Sequence, residues 1–411
     1  MVLRASSVPD CSASIASLLE SDGVVSFKVA VAAGPCTTWM LRTVSKRVAH
    51  TPSSILSRLD SIFPRKLYVI GGHDLSGQIL NTVECFDPES CAWEALPSMM
   101  ECRLVPALAV IDGSLYVCGG KSNVSEALRS AECFMLAAHR WDQLPQMQSA
   151  RFAPSAAVLS QMLYIQGGAG ADRQRLSSTE CFSSNTWNTL PLMCEQRYDP
   201  AVAALRDTLF VFGGQDVESK VLRSVECFHR CSNHWERLPP MSESRFRAAA
   251  IVSSDRIILC GGMGPSGYAL ASVEQFDFVS GSWQVLAPML EGRIAPMTAV
   301  IDQRVYVCGG HCAEGNKRTS SECYDANSNA WRALPPMMKP RVDSAVAILT
   351  SRICLIGGDD VDEETMSTAE WYDVMAGGWQ AMPQMSLGRS GPEAISSRVL
   401  TACDDAWHRR P

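Results

Sequence analysis

The chain contains no run of about 18 consecutive apolar residues, so no segment reads as a membrane-crossing helix. Residues 1–20 hold no apolar stretch of the kind that drives secretion, so no signal peptide is expected. Positive charge is not in excess. With 36 Lys and Arg against 43 Asp and Glu, the net charge of −7 argues against nucleic acid or an anionic membrane as the partner. There is no serine elbow and no phosphate-binding loop. Residues 164–170 superficially resemble a nucleotide loop, but their glycines belong to a repeat. Neither nucleotide chemistry nor triad hydrolysis has its usual signature.

Cysteine is plentiful, at 17 residues, yet the pattern is not that of a disulfide framework. Cys85, Cys133, Cys181, Cys227 and Cys323 each follow a repeated glutamate, and Cys118, Cys260 and Cys308 each precede a glycine pair. One repeat position uses cysteine as a small apolar filler, module after module. Equivalent positions in neighbouring modules should lie too far apart to bridge. Free buried thiols are therefore expected, and with them a reducing compartment, cytosol or nucleus.

What is present is a repeat. Glycine pairs begin at Gly71, Gly119, Gly167, Gly213, Gly261, Gly309 and Gly357, at intervals of 48, 48, 46, 48, 48 and 48 residues. A glutamate stands thirteen residues after each first glycine, and an arginine ten residues after each tryptophan, in all seven modules. Each module reads as four short strands joined by turns, here called A to D. Strand B ends in the glycines, C surrounds the glutamate, D starts at the tryptophan and A follows the arginine. A period near fifty, made of short apolar stretches, predicts an all-β fold: a seven-bladed β-propeller with four antiparallel strands per blade. The glycines should allow left-handed backbone at the crowded axis. The tryptophans should fill the wedges between blades. A glutamate and an arginine repeated seven times are framework residues rather than catalysts.

The glycine pair, the acidic residue before an aromatic (Glu84, Cys85, Phe86; Glu322, Cys323, Tyr324) and the spaced tryptophan resemble the Kelch repeat over about residues 65–389. The expected organisation is an extension over 1–64, a propeller over 65–402 and a tail over 403–411. Repeats fall near 65–102, 103–150, 151–196, 197–244, 245–292, 293–340 and 341–388. The first module lacks an A strand, while Arg389 opens a surplus one. Residues 389–402 are therefore expected to supply the innermost strand of blade 1 and so remove a free sheet edge.

Strand alternation sends the B–C and D–A loops to one face. The B–C loops are long and differ from blade to blade, so that face is the expected recognition surface. Candidates on these loops are His73, Arg173, Arg175, Tyr268 and His311. The residues two positions after each repeat arginine are expected on strand A at the channel mouth. They are Val105, Ala153, Asp199, Arg247, Ala295, Asp343 and Gly391. The three charges there, with Tyr198 and Arg245, are the expected floor of a central pocket.

Kelch-type propellers include copper radical oxidases with histidine and tyrosine ligands. Here His73 and His311 lie in separate blades with no third ligand evident, so no metal and no cofactor is expected. His229 and His234 read as solvent-facing residues of one C–D turn, and the acidic run 359–364 as a solvated loop. The resemblance implies a non-enzymatic module that binds a protein or peptide. Its specific forms are substrate recognition for a cullin-RING ubiquitin ligase, or an actin-binding scaffold. A propeller enzyme with its site at the channel mouth is the rival class. Residues 1–64 are too short for BTB and BACK domains. Their helical patterning, and residues 41–47 in particular, are similar to an F-box lacking its usual Leu-Pro opening.

Overall fold

A computed structural model describes residues 65–398, apart from 254 and 363. The expected N-terminal extension, the C-terminal tail and the last residues of the closing segment lie outside the described residues. Twenty-eight strands form seven four-stranded antiparallel sheets. The inner strands of blades 2 to 7 are β4 (Ala107–Ile111), β8 (Ser155–Leu159), β12 (Ala201–Leu205), β16 (Ala249–Ser253), β20 (Met297–Ile301) and β24 (Ala345–Leu349). The seventh is β28 (Glu393–Arg398), which pairs with β1 (Arg65–Ile70) from Arg65↔Arg398 to Ile70↔Glu393. Each inner strand adjoins the next, and β28 adjoins both β24 and β4, so the circle closes. The first sheet is thus built from both ends of the propeller, as the missing and surplus strands require.

The repeated residues build the joints between blades. Each repeat tryptophan faces an aromatic across strands C and D, as Phe86↔Trp93 shows, with ring centroids 5.2 Å apart. Its indole N–H donates to a carbonyl of the preceding blade: Trp141 to Pro97 at 2.8 Å, Trp235 to Pro191 at 3.0 Å, and Trp93 to Pro383 across the closure at 2.8 Å. One side chain therefore fills the wedge and fixes its width.

The seven repeat arginines are fully buried. Arg103 enters blade 2 and donates to Glu132 Oε1 at 2.8 Å, to the Gly119 carbonyl at 2.8 Å and to the Ser130 hydroxyl at 2.9 Å. The other oxygen of Glu132 accepts the Met100 N–H at 2.7 Å. A buried ion pair is tolerated only when its remaining donors and acceptors are satisfied, and this one is. At the closure Arg389 donates to Glu84 at 2.7 Å and to the Gly71 and Thr82 carbonyls at 3.0 Å. The glycine pair is needed because of this packing. A Cβ on Gly71, whose φ is +62°, would sit 2.3 Å from the Arg103 carbonyl oxygen.

Candidate functional site

Two backbone rings surround the channel mouth. The residue after each glycine pair bridges to the residue after each repeat arginine: His73 to Ser390, Lys121 to Leu104, Ala169 to Phe152, Gln215 to Tyr198, Met263 to Phe246, His311 to Ile294 and Asp359 to Val342. The B–C loops and the D–A connectors therefore share one face. Leu104, Phe152, Tyr198 and Phe246 are half-exposed along blades 2 to 5, whereas Ile294, Val342 and Ser390 are buried. One half of the mouth is an apolar, largely aromatic shelf. Tyr198 stacks on Phe246 with centroids 6.1 Å apart, and the Arg175 guanidinium lies 4.8 Å from the centroid of the Tyr198 ring.

The position two residues after each repeat arginine is not on strand A. It precedes the strand and is left-handed in every blade, with φ of 47° at Val105, 50° at Asp199, 54° at Arg247 and 49° at Asp343. The preceding residue is held in both directions by its bridge, as Leu104 and Lys121 show at 2.9 and 3.0 Å. The chain must then swing into the inner strand in a single step. The sequence shows strand composition there but not this constraint.

The three charges at this position come together. Arg247 reaches past Ala295 to donate to Asp343 Oδ1 at 2.7 Å, and its Nε lies 3.4 Å from Asp199 Oδ2. Asp199 retains 40 % side-chain exposure, yet dense protein surrounds it. Burial raises its carboxyl above the ordinary range, Arg247 opposes that shift and Asp343 adds to it. Glu393, the first residue of β28, was not among the expected site residues. Its carboxyl is pushed up to about 7 by burial and by Asp199. The signal that could have found it is the closing segment, which had to place its first strand residue at the mouth.

Arg245 does not belong to this site. It is 2 % exposed, donates to Glu274 Oε1 at 3.0 Å and to the Gly261 carbonyl at 2.9 Å, and is the blade 5 copy of the framework. The expectation of a pocket-floor role fails because the guanidinium points into the blade, with its donors occupied there. The remaining candidates are spread around the face. Arg173 is 78 % exposed and lies 3.4 Å from Glu126 of the neighbouring loop. Arg175 donates to Ser219 at 3.1 Å. Tyr268 is 65 % exposed at a loop tip. His73 and His311 are half-buried, and each places Nδ1 near the carbonyl of the next residue, at 3.1 and 3.0 Å. His229 and His234 are not turn residues. They lie opposite each other on adjacent strands. The 14 cysteines among the described residues are all free thiols.

Comparison with known proteins agrees with this architecture. The family model described as the KLHDC2/KLHL20/DRC7 Kelch-repeats domain matches residues 106–298, and that of the Kelch motif matches 61–100 and 298–338. No curated protein sequence gives a significant match. Many solved structures resemble the chain. One, titled "Structure of YjhT", shares 14 % identity at a TM-score of 0.58, over 70 % of this chain and 99 % of that one. At that identity the likeness concerns the fold alone.

Proposed function

Because the chain is a Kelch-repeat protein, we propose that its propeller is a non-enzymatic module that binds a protein or peptide segment at the B–C and D–A face. The observation that carries this reading is the channel mouth. There, two carboxylates, Asp199 and Asp343, hold the Arg247 guanidinium, and a third, Glu393, interacts with Asp199, beside the shelf of Phe152, Tyr198 and Phe246. Acidic excess at the mouth favours a lysine or arginine side chain from the partner, and the shelf favours an apolar neighbour. Arg175, which lies over the Tyr198 ring, and Arg173, farther out on blade 3, suit an acidic residue beside it. The bound segment then carries both signs, in the order the face presents them.

Selection of a random peptide display library on the full chain tests this. The expected consensus contains a basic residue next to an apolar one, and Asp199→Asn with Asp343→Asn loses it. A consensus without basic residues, or binding indifferent to those substitutions, overturns the reading.

In its finer form the protein recognises substrates for a cullin-RING ubiquitin ligase. Its support is the likeness of residues 41–47 to an F-box helix. Capture of a cullin scaffold by the full chain, lost on deletion of residues 1–64, is the expected result. Absence of capture removes this form and leaves the peptide-binding module standing.

One observation favours the rival class. Glu393, pushed up to about 7 by burial and by Asp199, has the form of a poised acid. Turnover of any substrate that Glu393→Gln abolishes, without loss of peptide binding, would establish an enzyme in place of a pure binding module.

A further inference from the structure

Blade 4 departs from the repeat at two linked places. In blades 1, 5, 6 and 7 strand C ends in an aspartate, and a basic residue on strand B pairs with it. The pairs are Lys66–Asp87 at 2.9 Å, Arg256–Asp277 at 3.6 Å, Arg304–Asp325 at 4.0 Å and Arg352–Asp373 at 3.1 Å. In blade 4 strand B is β13 (Thr208–Phe212), C is β14 (Val225–His229) and D is β15 (His234–Leu238). Thr208 stands where the base stands elsewhere and His229 where the acid stands, directly in register. Blades 2 and 3 also lack the pair, with Ser114 and Met135, or Met162 and Ser183, in its place, and only blade 4 puts a histidine there. The exchange removes the cation that would repel a metal ion and supplies an imidazole.

The imidazole completes a cluster. Cys227 lies two residues before His229, so both share one face of the strand, and Glu236 is the cross-strand partner of Cys227. His229 Nε2 lies 3.4 Å from Cys227 Sγ and 3.1 Å from Glu236 Oε2. The three donor atoms lie within 4.8 Å of one another. Ordinary zinc bond lengths in a tetrahedron place neighbouring ligand atoms roughly 3.3–3.6 Å apart. Two of the three separations therefore already stand close to coordination. The other nitrogen, Nδ1, lies 3.4 Å from the buried Thr208 hydroxyl. That contact keeps Nδ1 occupied and leaves Nε2 as the ligand, the outer-shell support that metal-binding histidines use. No other strand C cysteine has this setting. Two residues after Cys85, Cys133, Cys181 and Cys323 come Asp87, Met135, Ser183 and Asp325.

We propose that Cys227, His229 and Glu236 bind a divalent, thiophilic metal ion, with zinc the best fit. One thiolate, one imidazole and one carboxylate form a borderline-soft donor set, unsuited to magnesium or calcium. On binding, Cys227 gives its thiol proton to solvent as the sulfur–metal bond forms, and His229 binds as the neutral imidazole. A fourth position faces outward, toward water or His234, whose ring centroid is 5.7 Å from that of His229.

Cobalt(II) added to the chelator-treated full chain tests the site, because a thiolate bound to cobalt absorbs strongly in the near ultraviolet. The expected result is one equivalent with that absorption, displaced by zinc. Cys91, Cys194 and Cys231 are exposed thiols, so the signal is read as the difference from a variant. Thr208→Arg with His229→Asp rebuilds the pair that four other blades carry and should abolish the difference signal. Glu236→Gln changes an exposed residue, leaves the fold intact and should weaken zinc binding at least about tenfold. Wild-type protein without the absorption, or the same absorption and affinity in both variants, overturns the proposal.

Discussion

Arg245 and Arg247 are two residues apart and make opposite use of the same side chain. Arg245 is buried, spends its donors on Glu274 and nearby carbonyls, and has six counterparts. Arg247 is 32 % exposed, reaches two blades away to Asp343 and has no counterpart; alanine, valine or glycine holds four of the six equivalent positions and aspartate the other two. The first holds the disc together and the second gives one sector of the mouth its character. In a repeat protein, identity of residue type says little, whereas recurrence around the ring separates framework from site.

That contrast can be tested from its strongest consequence downward. Deletion of residues 389–411 removes both Arg389 and β28, exposing the edge of β1 and leaving Glu84 buried without its cation. The expected outcome is a chain that aggregates or fails to fold, and an unchanged thermal midpoint would refute closure as the source of stability. Arg245→Ala should cost about 3–5 kcal/mol in denaturant unfolding, because it strands the Glu274 carboxylate in the interior.

Glu393→Gln should act with pH. The folded carboxyl titrates near 7 and the unfolded one near 4.5, so the folded state holds its proton more tightly. The penalty from Glu393 is therefore absent below about pH 4, grows as pH rises, and is complete above about pH 7. Gln should raise stability by roughly 1 kcal/mol at pH 8, after allowance for solvent access, and change nothing at pH 4. Equal effects at both values would show that the group is not desolvated.

Arg247→Ala should shift stability by less than about 0.5 kcal/mol. Ala153 and Ala295 already occupy the same left-handed position, so the backbone accepts the change. Partner binding should nonetheless fall. A large melting shift would place Arg247 with Arg245 after all.

The fold was legible because each blade repeats its instructions. Glycine, glutamate, tryptophan and arginine recur at fixed spacing, and one joint solved sterically is solved seven times. The missing strand A of the first module and the surplus strand after Arg389 gave away the closure. The site was legible only in part. Asp199, Arg247 and Asp343 stood out as breaks in an apolar column. Arg245 sits next to these breaks in sequence but not in space, since two residues along a chain can face opposite environments. Glu393 hid at the end of the closing segment, and His229 hid behind a cysteine that looked like the common filler.

Blade number, and the strand order and arginine–glutamate joint everywhere but at the closure, follow from local spacing, because each is set within about fifty residues of chain and enforced by burial. The meeting of Arg247 with Asp343, 96 residues apart, was decided only by curvature of the closed ring. So was the placing of Glu393 near Asp199. Side chains that share a circle's centre become neighbours through its radius, a quantity that no local pattern of residues records.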